Sequence, residues 1–385
     1  MTKKLFSILR YTSIVASVAS LFIISGCGGD KGEPAPTLTL SETIASDAYK
    51  QSATVTADVA LDSLKKYINI YPDLQALITG TTIYTLFAPS NAAFIALTAI
   101  PGLSNIKAVN PDLIKGVLLY HFVAGQKLKA DLTAGSSFPT LYSETRFVTT
   151  ESPTLPSIQN IKINTDGTLK TGSANASIVI SKENVKTTNG VMHITATTLI
   201  PPSIGAVLVP ILGTMAAPIL LGKDFTQLVK IIGAADAVFT ETATAKKIVT
   251  YLAMPPANFP GGKGGTYFAS PNAVLSDATV TAITSAADKG RSFLLNHLVG
   301  GKYGVAAGTD VTVMSTTGQA FNPFSNTPNT PKTITVVKAP VGATNPNGTI
   351  VTTGALTDAT KYAPIFVKDL SNSNGLIQVI GGVLQ

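Results

Sequence analysis

Three short motifs occur twice in this chain, in one order and at nearly one spacing. Thr85-Leu86-Phe87-Ala88-Pro89-Ser90-Asn91-Ala92-Ala93-Phe94 returns as Thr266-Tyr267-Phe268-Ala269-Ser270-Pro271-Asn272-Ala273-Val274-Leu275. Leu118-Leu119-Tyr120-His121-Phe122-Val123-Ala124-Gly125 returns as Leu294-Leu295-Asn296-His297-Leu298-Val299-Gly300-Gly301, and Asn189-Gly190-Val191-Met192-His193-Ile194 returns as Asn374-Gly375-Leu376-Ile377-Gln378-Val379. Chance similarity of apolar runs accounts for one such pair but hardly for three in the same order, so the chain reads as a duplicated domain. Its 385 residues also exceed what one ordinary hydrophobic core serves. The copies are expected at 38–203 and 204–385, with the change at Pro201-Pro202-Ser203, where two prolines halt both strand and helix.

Ahead of the first copy, residues 1–26 have the layout of an export signal. Lys3, Lys4 and Arg10 make a basic start, and Ile14 to Ile24 form a charge-free apolar stretch, short for a spanning helix. It ends in Ile24-Ser25-Gly26-Cys27, which resembles the lipobox of bacterial lipoproteins, with Cys27, the only cysteine, as the lipidated residue. Two or more acyl chains there suffice for stable membrane attachment. With Cys27 so used, no thiol remains for a disulfide or a thiolate metal site. Residues 27–37, rich in Gly and Pro and without apolar periodicity, read as a flexible tether.

The uncharged run from Ile204 to Gly222 is long enough to be weighed as a membrane span. Gly205, Pro210, Gly213 and Pro218 interrupt it, and a span there would put the second copy of an exported domain on the wrong side of the membrane. It is read instead as linker and buried helices, continuing through Phe225, Leu228, Val229, Ile231 and Ile232 at helical spacing.

Each motif has a local physical reading. Ile83 to Phe87 is β-branched and aromatic, as a core strand requires, and Pro89 ends it. Ser90 or Asn91 then caps a helix carrying Ala92, Phe94, Ile95 and Leu97. Asn272 keeps its register in copy two although Ser270 and Pro271 exchange order. Pro111 to Tyr120 is a helix with proline in its first turn, turning at His121 into a short strand ended by Gly125. Asn189-Gly190 suits a tight hairpin turn before a closing strand from Val191 to Ile200, whose partner is expected near Ser177 to Val185. His121, His193 and His297 are read first as buried side chains satisfied by backbone groups.

These motifs together resemble the fasciclin-like domains. The segment around Phe87, Pro89 and Asn91 is similar to the family's first conserved segment, Tyr120-His121 to its tyrosine-histidine pair, and Asn189 to Ile194 to its second conserved segment. The resemblance implies an α+β fold, a twisted β-wedge or sandwich with helices packed against it, occurring twice in tandem. Phe268, Asn272, Asn374 and Gly375 carry it into copy two, where Asn296 and Gln378 replace the expected tyrosine and histidine. It implies an adhesion or protein- and glycan-binding module. In animal members the tyrosine-histidine region is linked to integrin contact, which makes Tyr120, His121 and His297 candidates for either interaction or structure.

Other function classes find little support. Only three histidines are present, with no His-Glu-x-x-His or Gly-x-Ser-x-Gly pattern, and Gly261 to Gly265 precedes a strand rather than opening a helix, so it is a loop. Scattered carboxylates could still pair in three dimensions as in a glycosidase. No catalytic residue, cofactor or metal is assigned. Charged residues make up 13% and aromatics 7%, without a basic stripe, so no nucleic-acid partner is expected. The expected setting is the cell envelope, lipid-anchored in the outer membrane or at the cell surface. Capture of a small ligand or polysaccharide is the alternative, weakened by the absence of Trp.

Overall fold

The computed structural model describes residues 34–100, 103, 105–143, 158–172, 175–176, 182–237, 247–259, 262–302, 304, 311–314, 333–338, 349–352 and 362–384. Met1–Pro36 and Thr37–Gln385 are two units, and of the first only residues 34–36 are described. The expected signal segment, Cys27 and most of the expected tether therefore lie outside the described residues.

The first half of Thr37–Gln385 begins with helices α1 (Leu40–Ala45), α2 (Asp62–Ile68) and α3 (Pro72–Thr79). Strand β1 (Tyr84–Pro89), helices α4 (Asn91–Thr98) and α5 (Pro111–Leu119) and strand β2 (Phe122–Ala124) follow. Strands β3 (Ser137–Ser143), β4 (Ile158–Ile163), β5 (Leu169–Lys170), β6 (Asn175–Ala176), β7 (Val185–Thr187) and β8 (Gly190–Thr195) complete it. The second half has helices α6 (Pro202–Ile211), α7 (Ala216–Leu221), α8 (Thr226–Asp236) and α9 (Ile248–Ala253), strand β9 (Gly265–Ala269), and helices α10 (Asp277–Thr284) and α11 (Ala287–Asn296). Its remaining strands are β10 (Leu298–Gly300), β11 (Val311–Met314), β12 (Thr333–Lys338), β13 (Thr349–Thr352), β14 (Ala363–Asn372) and β15 (Gly375–Ile380).

The strands form two sheets, ordered β6-β5-β4-β3-β2-β1-β8-β7 and β10-β9-β15-β14-β13-β12-β11. Both contain one four-strand unit, β2-β1-β8-β7 in the first and β10-β9-β15-β14 in the second. In each, the central pair is parallel and the flanking pairs are antiparallel. The halves differ in where the other strands attach: beyond β2 in the first sheet and beyond β14 in the second.

Strand alternation distributes the core over both faces of each central strand. On β1, Leu86 and Ala88 face a helical layer with Leu40, Ile44, Leu64 and Leu74, while Phe87 packs with Val123, Ile161 and Leu199. On β9 the parity is the same: Phe268 packs with Val299, Ile334 and Ile380, while Tyr267 and Ala269 pack with Leu228, Ile231 and Leu252 of the helices. Each phenylalanine is fully buried, which contributes about 2–3 kcal/mol apiece by area removed from water.

These layers do not stop at the boundary between halves. Ile204, Leu208 and Ile211 of α6, a helix with no counterpart among the described residues of the first half, join the cluster of Ile161 and Leu169 and also that of Tyr267 and Leu228. The strand-facing core of the first half is thereby continuous with the helix-facing core of the second. The approach is close: a Cβ at Gly205 would collide with the Gly172 carbonyl, Gly172 N–H donates to Ile200 O at 2.7 Å, and Ser203 N–H donates to Gln159 Oε1 at 3.2 Å. Sequence change at Pro201-Pro202-Ser203 thus marks a junction in the chain but no gap in the packing.

Several local expectations shift. The run 204–222 is divided at Leu212-Gly213, with Gly213 at φ 77°, into α6 and α7, and among the described residues no helix is long and apolar enough to cross a membrane. On α4 it is Ala93, not Ile95, that joins Phe94 inside, leaving Ile95 60% exposed. The two turn residues of the first hairpin are Thr188 and Asn189, because Thr187 pairs with Gly190, and Gly190 opens the strand. Part of the expected partner strand, 177–181, lies outside the described residues.

Candidate functional site

The repeated polar residues converge on backbone groups of neighbouring elements, in matching ways in the two halves. Asn91 has the chemistry to cap its own helix, but Ser90 fills that role, its Oγ accepting Ala93 N–H at 3.3 Å. Asn91 instead caps a helix earlier in the chain. Leu61, at the N-cap of α2, has no polar side chain to offer, and Asn91 Oδ1 accepts the Ser63 N–H at 2.9 Å while its Nδ2 donates to Gln51 and Asp62. Asn272 does the same for α8, whose N-cap is Phe225: Oδ1 accepts Gln227 N–H at 2.9 Å, and Nδ2 donates to Lys223 O and Thr226 Oγ1. In the second half the helix after Asn272 starts at Asp277, capped by Ser276; Pro271 stands at the position of Ser90 and has no side-chain oxygen to cap an earlier start, and the Ser270 hydroxyl donates to Gly382 O at 2.7 Å.

Asn189 and Asn374 each join two helix ends. Asn189 Oδ1 accepts Leu40 N–H at the start of α1, and its Nδ2 donates to Ile78 O and Gly80 O at the end of α3. Asn374 Oδ1 accepts Met215 N–H before α7, and its Nδ2 donates to Leu252 O and Met254 O at the end of α9. The glycines that follow are held by proximity. At Gly190, with φ 155°, a Cβ would collide with the Tyr84 carbonyl on the parallel neighbour strand; at Gly375 it would collide with the Gly265 carbonyl and the Met215 thioether.

Tyr120 and His121 are fully buried. Tyr120 OH donates to Asn160 O at 2.9 Å, and its ring meets Tyr142 edge-on at 6.4 Å; burial raises its phenol above the ordinary tyrosine range. His121 Nδ1–H donates to Val117 O at 2.7 Å, Nε2 accepts Leu199 N–H at 3.0 Å, and burial lowers its pKa to about 4. His297 repeats this with Phe293 O at 2.7 Å and Leu384 N–H at 3.1 Å. Of the two readings open for these side chains, the geometry has them in structural roles, with no surface to offer a partner.

His193 accepts Asn184 N–H at Nδ1, donates from Nε2 to Lys127 O at 2.8 Å and stacks on Phe87; burial first, and more weakly Lys129, lower its pKa. In copy two Gln378 reproduces the accepted bond with an amide, Oε1 accepting Asp369 N–H at 3.0 Å, while its Nε2 donates to the Asp369 Oδ1 carboxylate at 2.6 Å where His193 donates to the Lys127 main-chain carbonyl. Asn184 and Asp369 both have positive φ, 56° and 55°, which short polar side chains tolerate. The histidine-to-glutamine difference therefore keeps the bond to the positive-φ residue and redirects the donated one.

What sequence reasoning did not identify is a cleft of about 730 Å³ where the halves meet. Its position follows from an antiparallel bridge between Val109 and Gly222, reinforced by Asn110 N–H donating to Leu221 O at 2.7 Å. Val109, Leu221, Phe225 and Leu370 give it an apolar lining, and Asp224 and Asn372 add polar atoms. Leu370 and Val367 also belong to a partly exposed apolar strip with Phe366 on the irregular strand β14. Volume, mixed lining and placement between two halves are those of small-molecule sites in general. The cleft escaped sequence reading because its walls come from four stretches distant in the chain. Among the described residues, no three His, Cys, Asp or Glu side chains are grouped to hold a metal ion.

Residues 60–201, from just before α2 to the connector after β8, match the family model of the Fasciclin domain. Among solved structures the chain is similar to a FAS1 domain pair from the insect cell adhesion molecule Fasciclin I, at 15% identity and a TM-score of 0.29, covering 84% of this chain and 96% of that one. No curated protein matches the chain.

Proposed function

We propose that the chain is a lipid-anchored cell-envelope protein whose two halves are tandem fasciclin domains acting in adhesion to, or binding of, an extracellular protein or glycan, without catalysis. The observation that carries this reading is the Fasciclin domain at 60–201, a type of module associated with adhesion. The matching hydrogen-bond sets of Asn91 and Asn272, Asn189 and Asn374, and His121 and His297 support extending it to 204–385. Because the motif side chains are consumed in backbone contacts, recognition falls to the outer surface. Anchoring through Cys27 in the outer membrane or at the cell surface rests on the lipobox-like Ile24-Ser25-Gly26-Cys27.

A second reading, capture of a small ligand or polysaccharide, is favoured by the junction cleft. One experiment separates the two. Cells carrying or lacking the protein are compared for adhesion, and residues 38–385 are screened on a glycan array. Loss of adhesion on deletion supports the first reading; selective glycan binding with unchanged adhesion replaces it with the second. Labelled palmitate entering the wild-type chain but not C27A, followed by protease shaving of intact cells, tests the anchor and its face.

A further inference from the structure

Both nitrogens of the His121 ring are committed to backbone groups from different parts of the fold. Nδ1 lies 2.7 Å from Val117 O on α5, and Leu199 N–H reaches Nε2 at 3.0 Å. A carbonyl only accepts and an amide N–H only donates, so the ring is the neutral tautomer with its proton on Nδ1. A second proton has one place to go, Nε2, and there it would meet another donor. Leu199 stands in the short connector between β8 and α6, which leads from the first half to the second.

We propose that His121 is an acid-released latch on this connector: protonation of its ring breaks the hold on Leu199 and loosens the joint between the halves. The ring is well isolated from other influences. Among the described residues, burial and the Val117 carbonyl are the causes acting on its charge, and no carboxylate or ammonium of α5, β1 or the connector contributes. Its neighbour Tyr120 turns to Asn160 O on β4, and β1 meets His121 through its main chain, Phe87 N–H donating to His121 O. Burial brings the ring's pKa to about 4, whereas a ring released into water titrates near 6.5. Between those values acid favours whichever state sets the ring free.

The other ties of the connector, Gly172 N–H to Ile200 O and Ser203 N–H to Gln159 Oε1, do not titrate. Release is therefore local, and the rest of the first half keeps its packing. His297 holds Leu384 in the same manner at the end of the second half, with the Tyr267 ring 6.4 Å away. His193 titrates separately, among Lys127 O, Asn184 N–H, Glu183 and Lys129, and must be distinguished from the latch.

Hydrogen exchange of the Leu199 amide in the full-length chain, expressed as a protection factor so that intrinsic pH effects cancel, tests the proposal. The Ile68 amide in α2 serves as a marker of whole-fold opening. Protection at Leu199 is expected to lie below that at Ile68 and to fall about twentyfold between pH 7 and pH 5, as linkage requires for a ring moving from about 4 to about 6.5. The fall is expected to persist in H193Q and to vanish in H121Q, whose amide can keep both bonds without titrating. A Leu199 protection factor that does not change with pH overturns the latch, as does one that equals Ile68 at both pH values. Should H121Q fail to fold, the wild-type comparison of Leu199 with Ile68 decides alone.

Discussion

Asn91 on α4 holds the Ser63 N–H of α2 at 2.9 Å, across 28 positions of the chain. The amide thus supplies in space the cap that Leu61 does not supply in sequence, and Asn272 repeats the arrangement toward Gln227. Replacement of Asn91 by alanine removes the cap and two further side-chain bonds. The expected cost is about 1–2 kcal/mol, read as a lowered urea midpoint. Ser90→Ala, which removes the cap of α4 itself, is expected to cost about 1 kcal/mol. An unchanged midpoint in Asn91→Ala would show that the contact is incidental.

Gly190 and Gly375 are expected to tolerate no side chain. Each begins a strand whose parallel neighbour leaves no room for a Cβ. Gly190→Val combines that collision with a positive φ, and a loss above about 3 kcal/mol is expected by analogy with overpacked and strained sites. The check is soluble yield and a circular dichroism melt; a melt like that of the wild type would refute the assignment.

Stability is expected to decline in mild acid through His121. Its folded pKa of about 4 lies below the unfolded value, near 6.5. The unfolded chain therefore binds more protons between these values, and the folded state loses stability as pH falls through that window. At pH 4 the loss from this ring is on the order of 3 kcal/mol. His193, also lowered by burial, acts in the same direction. Urea midpoints measured at pH 7, 6 and 5 should fall in order, and a flat series would mean that the rings are not held neutral.

The continuous core through α6 leads to a further expectation. Although its motifs recur in two halves, Thr37–Gln385 is expected to unfold in a single calorimetric transition, because separating the halves would expose Ile161, Leu169, Ile204 and Leu208 to water. A chain ending at residue 201 is expected to melt lower than the whole. Two well-separated transitions, with the lower one unaffected by that truncation, would show that the halves are independent.

Much of this architecture could be read along the chain. The strand at Leu86-Phe87, the helix from Pro111 and the hairpin before the closing strand all follow from local patterns of apolar period, proline and turn residues. The duplication itself needed only the offsets between motifs. Local pattern was a poorer guide to individual side chains. Ile95 fits a helical stripe yet faces water, and Asn91 has a cap residue's chemistry but serves another helix.

The sequence by itself determined the repeat and the order of elements, since these depend on motif spacing and on neighbours a few residues apart. Tertiary structure decided which backbone groups Asn91, Asn189 and His121 satisfy, that Tyr120 lies inside, and that a cleft opens at the joint. Those outcomes rest on partners from 28 to more than 100 residues away for the two asparagines. Polar atoms leave water only where a partner is waiting, and which partner waits is set by how the sheets and helices pack.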